Sequence, residues 1–145
     1  MMKFLVINGP NLNLLGTRDP QMYGSDSLET LYGFLQKNFD AAQFDFFQSN
    51  HEGELIDRIQ FAHKSCDGII LNPGALGHYS YAIRDAIEAC QLPVVEVHLT
   101  NIAAREDFRR ETVTASVCRG VISGLGKYGY LLAAQALMLL KSKPS

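Results

Sequence analysis

The sequence predicts an α/β protein, a parallel β-sheet with helices on both faces. Short apolar runs rich in β-branched and aromatic residues alternate with longer stretches whose apolar residues recur at helical spacing. Asparagine and histidine gather just after the apolar runs, where ligands bind in open α/β sheets.

The elements follow in order. Phe4–Ile7 is short and apolar and reads as a buried strand. Asp26 followed by Glu29 is a helix start signal, and Leu28, Leu31, Tyr32, Leu35 and Phe39 then recur at helical spacing. Phe44–Phe47 is the second strand, and Gly53–His63 sets Leu55, Ile56, Ile59 and Ala62 on one helical face. Gly68–Leu71 is the third strand, ending at Asn72-Pro73-Gly74. Tyr79, Ala82, Ile83, Ala86, Ile87 and Cys90 form a regular helical stripe. Pro93–Val97 is the fourth strand, Ala115–Ile122 the fifth, and Tyr128–Lys141 a closing helix. Five parallel strands with helical crossovers suggest a flavodoxin-like three-layer sandwich of strand order 2-1-3-4-5. The 145 residues read as one domain, without repeats, low-complexity tracts or linkers.

Composition narrows the function. Net charge is −2 with no basic tract, which argues against nucleic acid or an anionic membrane as the partner. Asn8 and Pro10 interrupt the N-terminal apolar run, so it does not read as a signal peptide. The apolar stretch near Tyr130–Leu140 falls short of the ~20 residues that span a bilayer. Cys66, Cys90 and Cys118 are odd in number and form no CxxC, as expected of reduced thiols in the cytoplasm.

The first strand end supplies Asn8 and Asn11, the second Asn50 and His51, the third Asn72 and then His78, and the fourth His98, Thr100 and Asn101. Amides are common in turns, but four strand ends so equipped favour a site. Glu96 and His98, at i and i+2 on one strand, share a face. The glutamate could set the imidazole tautomer and stabilise its protonated form, or the two could be a structural pair. In "GTRDPQMYG" the flanking glycines suit a mobile lid carrying Arg18 and Tyr23. A close guanidinium would favour phenolate, a base for a carbon acid beside a ketone. The alternative is a solvated arginine and a packed tyrosine.

Other chemistries fit poorly. "GLGKYG" matches the dinucleotide glycine pattern but follows the last strand and has no acidic residue ~20 positions on, so helix packing explains it better. Histidines 51, 63, 78 and 98 lack compact metal spacing. There is no G-x-S-x-G elbow, and Lys127 is the lone lysine near the expected site edge. What is left suits an anionic, hydroxylated small molecule and proton transfer.

"NGPNLNLLGTRDPQMYG", "SNHEGELID", "GIILNPGALGHYSYAIRDAI", "VVEVHLTNIAAREDFR" and "GVISGLGKYGYLLA" closely resemble, in that order, the type II 3-dehydroquinate dehydratases. The resemblance implies a cofactor-free, metal-free anti elimination of water from 3-dehydroquinate to 3-dehydroshikimate. It implies that Tyr23 removes the C2 proton, that Arg18 keeps it phenolate, and that Asn11 holds a water at the enolate. His98 would protonate the departing hydroxyl, with Glu96 behind it. Asn72 and the backbone amides of Leu99 and Thr100 would clamp the substrate, His78 and Arg109 would bind its hydroxyls, and Asp85 would reach a neighbouring subunit's site. It further implies a dodecamer built from trimers. Asp19, Thr100 and Ala103 depart from the usual pattern and bear on affinity and loop rates rather than on the reaction. A flavodoxin-like binding module without turnover is the alternative.

Overall fold

A computed structural model describes residues 1–17, 20–23 and 26–142, with the backbone alone for Pro20, Tyr23 and Ser142. It is a five-stranded parallel sheet of order 2-1-3-4-5, the flavodoxin-like arrangement. The strands are β1 (Met2–Asn8), β2 (Ala42–Gln48), β3 (Gly68–Asn72), β4 (Val94–His98) and β5 (Gly120–Ser123). The helices are α1 (Pro20–Tyr23), α2 (Leu28–Asn38), α3 (Glu52–Ala62), α4 (Tyr81–Cys90), α5 (Asp107–Arg110) and α6 (Tyr128–Ser142).

The period-two rule divides the core. On β1, Phe4 and Val6 face a cluster with Leu31 and Leu35 of α2 and Ala133, Ala134 and Leu137 of α6. Leu5 and Ile7 face the opposite cluster, with Leu55 and Ile59 of α3 and Ile83, Ala86 and Ile87 of α4. β1 and β3 are buried on both sides, which is why they read as unbroken apolar runs. Among the described residues no helix is long and apolar enough to cross a membrane.

Three boundaries differ from expectation. The cap of α2 is Ser27, whose hydroxyl accepts the Thr30 N–H at 3.2 Å; Asp26 stands just outside it. Tyr79 is not helical: Ser80 caps α4 by accepting the Ile83 N–H at 3.0 Å, and Tyr79 lies exposed before it. The fifth strand does not begin at Ala115. Ala115–Val117 is a 3-10 turn and pairing starts at Gly120. Thr112 Oγ1 accepts the Ala115 N–H at 3.2 Å, which turns the backbone where a strand was expected.

The glycine-rich "GLGKYG" segment is a packing device. A Cβ at Gly129 would lie 3.2 Å from Val97 Cγ1 and 3.4 Å from Ile122 Cγ2, so glycine lets α6 sit close to the sheet.

Candidate active site

The carboxyl ends of β1, β3 and β4 meet around one pocket of about 100 Å³. The ends of β1 and β3 are tied directly: Gly9 N–H donates to the Asn72 carbonyl at 2.8 Å. A Cβ on Gly9 would stand 2.4 Å from the Pro73 carbonyl oxygen, so only glycine permits this approach. Asn11 follows with φ 70°, a left-handed conformation that asparagine tolerates, and its N–H donates to Asn50 Oδ1 at 2.9 Å.

Asn72 at the end of β3 is buried and doubly held. Its Oδ1 accepts the Gly74 N–H at 3.1 Å, and its Nδ2 donates to Tyr130 Oη at 2.9 Å. The next turn, Gly74–His78, brings His78 to the rim. His78 Nδ1 donates to the Glu111 carbonyl at 2.8 Å, because a carbonyl can only accept. Its ring lies against that of His98 with centroids 6.2 Å apart.

His98 ends β4, and its Nε2 is 2.8 Å from Glu96 Oε2. Nδ1 is the ring nitrogen not engaged by that carboxylate. Glu96 is fully buried and accepts two further hydrogen bonds, from Thr112 Oγ1 at 2.8 Å and from Thr114 Oγ1. Burial pushes the Glu96 carboxyl up, but the bonds from His98, Thr114 and Thr112 outweigh it and hold the group below its ordinary value. It is therefore an anion at neutral pH. Cys118 feels both: burial, and then the Glu96 charge, push its thiol up to about 12, so it is protonated.

The peptide units after β4 are pinned from behind. The Leu99 carbonyl accepts from Gly126 N–H at 3.0 Å and the Thr100 carbonyl from Ser123 Oγ at 3.1 Å. Arg109 crosses the Phe108 ring, its Cζ 4.7 Å from the centroid, and its Nε donates to Glu106 Oε2 at 2.6 Å.

Asn11, Asn72, His78 and His98 all line the pocket, as do Leu99, Thr100 and Arg109. Glu96 lies behind His98. Asp85 does not join them: it is exposed on α4, in an open depression with Glu88 and Ala89. Arg18 and the Tyr23 side chain lie outside the described residues. Arg105 and Ile102 line the pocket and were not singled out by sequence. Arg105 stands one helical turn before Arg109, a spacing that could have marked it. Thr112 and Thr114, at i and i+2 in "ETVTA", were also missed, and their spacing was the available signal. Lys127 is not at the pocket but 3.6 Å from Asp26 Oδ2. Among the described residues no group of three or more His, Cys, Asp or Glu side chains is placed to hold a metal ion.

A pocket of amides, imidazoles and guanidinia with a buried carboxylate behind one histidine can orient a small oxygen-rich molecule and move a proton. Comparison with known proteins agrees. The family model for dehydroquinase class II matches residues 2–138. The 3-dehydroquinate dehydratase of Thermotoga neapolitana is 51% identical over 146 residues, covering 99% of both chains. That of Bacillus cereus is 55% identical over 140 residues, 95% of this chain and 96% of the other. The crystal structure of the type II dehydroquinase from Butyrivibrio crossotus superposes with a TM-score of 0.92 at 46% identity, covering 94% of this chain and 97% of that one. With the fold and nearly the whole length in agreement, the chain belongs to the class II dehydroquinase family.

Proposed function

We propose that the chain catalyses the dehydration of 3-dehydroquinate to 3-dehydroshikimate, an anti elimination through an enolate, as a cofactor-free hydro-lyase of the shikimate pathway. The observation that carries this is the His98–Glu96 pair in the pocket wall. An imidazole backed by a buried, ionised carboxylate is suited to hold a proton and release it to a departing hydroxyl.

Tyr23, as phenolate beside Arg18, takes the proton from C2. The C–H electron pair moves toward the adjacent ketone and forms the enolate, whose charge Arg18 and a water on Asn11 offset. The enolate collapses, the C1–O bond breaks, and His98 protonates the hydroxyl, which leaves as water. Solvent exchange then resets both residues. Asn72 and the Leu99 and Thr100 peptide N–H groups clamp the substrate, while His78 and Arg109 bind its hydroxyls. The shared pocket of these five residues supports the assignment.

All 145 residues act as one catalytic domain. The protein works in the cytoplasm, a placement supported by the free thiols of Cys66, Cys90 and Cys118. It assembles as a dodecamer built from trimers, in which Asp85 completes a neighbour's pocket. Support comes from the exposed position of Asp85 and from α6, where Leu132 and Leu139 leave apolar surface for a second copy to cover.

Turnover of 3-dehydroquinate by the purified protein, followed by the ultraviolet absorbance of the conjugated enone, tests the reaction. Binding of 3-dehydroquinate with no rise in absorbance would leave the alternative, a binding module without turnover, which the family does not favour.

A further inference from the structure

A buried hydrogen-bond chain leads away from the pocket. Asn72 Nδ2 donates to Tyr130 Oη at 2.9 Å, Tyr130 Oη donates to Asn8 Oδ1 at 2.5 Å, and Asn8 Nδ2 donates to Tyr32 Oη at 3.2 Å. Asn8 and Tyr130 are 0% exposed and Asn72 is 3% exposed, so water cannot stand in for a missing partner.

The chain has one direction, and its pocket end sets it. The Gly74 peptide N–H can only donate, and it points at Asn72 Oδ1. The Asn72 oxygen therefore faces Gly74 and its NH₂ faces Tyr130. The phenol receives that hydrogen and gives its own to Asn8, which must turn its NH₂ to Tyr32. Inverting Asn72 would set its NH₂ against the Gly74 N–H and leave the phenol facing a carbonyl oxygen. Burial pushes the Tyr130 phenol up, so it stays protonated and keeps both roles at any working pH. Of the two hydrogens on Asn72 Nδ2, one is engaged by Tyr130 and one is left for the pocket that Asn72 lines.

We propose that Tyr130 is a positioning residue of the site: Gly74 sets which way the Asn72 amide faces, and the Tyr130 hydroxyl, accepting from Nδ2, is the second anchor that keeps the amide from rotating and so aims its free N–H at the substrate. This rests on Asn72 being a substrate ligand, as proposed above. It ties α6 to the pocket across 58 residues of sequence.

Tyr130→Phe deletes the hydroxyl and keeps the ring that packs with Phe4, Val6, Ile70 and Val97. Steady-state kinetics on 3-dehydroquinate should show KM raised about tenfold, the worth of roughly one hydrogen bond, and kcat within about threefold. In an Asn72→Ala background the same substitution should leave KM where Asn72→Ala put it, because the amide to be oriented is gone. Unchanged KM in Tyr130→Phe, or the same KM change in both backgrounds, overturns the proposal. Should circular dichroism show Tyr130→Phe unfolded, Asn8→Leu removes the acceptor of the phenol hydrogen instead. It must reproduce the KM rise, and an unaltered KM there overturns the proposal equally. Absence of turnover in the unsubstituted enzyme overturns the reaction and this role with it. Turnover with unaltered KM in the variants overturns the role alone.

Discussion

Glu96→Ala should lower stability by an amount the structure sets. The side chain is fully buried and accepts from His98 Nε2 at 2.8 Å, Thr112 Oγ1 at 2.8 Å and Thr114 Oγ1. Alanine removes both acceptor oxygens and with them all three hydrogen bonds. Thr114 is itself fully buried and its hydroxyl has no access to water, whereas half-buried Thr112 can recover one. A stranded hydroxyl costs about 1–3 kcal/mol. With the bonds from His98 and Thr112 lost at about 1 kcal/mol each, the total is about 3–5 kcal/mol. At about 2–4 °C per kcal/mol for a chain of this size, Tm should fall by about 6–20 °C at pH 7. Thermal unfolding by circular dichroism measures this, with both proteins at equal concentration because assembly shifts Tm by mass action.

The pH dependence of that gap is a second check. The Glu96 carboxyl is lowered on folding from its ordinary 4.5; burial opposes this, and His98, Thr114 and Thr112 together exceed it. A carboxyl lowered on folding stabilises above its unfolded pKa and loses that contribution as pH falls through the folded value. The gap between wild type and Glu96→Ala should be full at pH 7 and narrow on acidification below 4.5. A Tm loss under about 3 °C at pH 7, or a gap that widens in acid, would refute the reasoning.

Gly9→Ala places a Cβ 2.4 Å from the Pro73 carbonyl oxygen, where the obstacle is backbone. It should cost about 3 kcal/mol, or about 6–12 °C in Tm, and spread the ends of β1 and β3; a melting curve like that of wild type would contradict the close approach. Tyr23→Phe should fold normally and lose about 10²–10⁴ in kcat, and retention of more than about a tenth of kcat would remove Tyr23 as the base. Asp85→Ala should weaken substrate binding with the fold intact, and light scattering on the unsubstituted protein should give a dodecamer. Unchanged KM and kcat in that variant, or a fully active monomer, would show Asp85 acts on no neighbour's site.

The sheet and its two helical layers were legible because they follow from local periodicity. Phe4 and Val6 alternate with Leu5 and Ile7, and each pair enters a different cluster. The helical stripes of α3 and α4 name the residues that cover the second face. The polar ends of β1, β3 and β4 were legible for the same reason, strand direction in a parallel sheet bringing carboxyl ends to one edge, whereas Asn50 and His51 after β2 do not line the pocket. Pairing Glu96 with His98 needed only the two-residue repeat of a strand.

What tertiary structure alone decided concerns polar atoms whose partners are distant in sequence. The late start of the fifth strand goes with Thr112 and Thr114 donating to a carboxylate 16 and 18 residues away. Local propensity around Val117 carries no trace of that. Tyr130 read as one more apolar residue of a closing helix, yet its hydroxyl joins Asn8 and Asn72, 122 and 58 residues away. Hydrophobic pattern determines which face of an element is buried, because burial needs only area. A hydrogen bond needs a donor and an acceptor within about 3 Å, and only the packing of layers brings such a pair together.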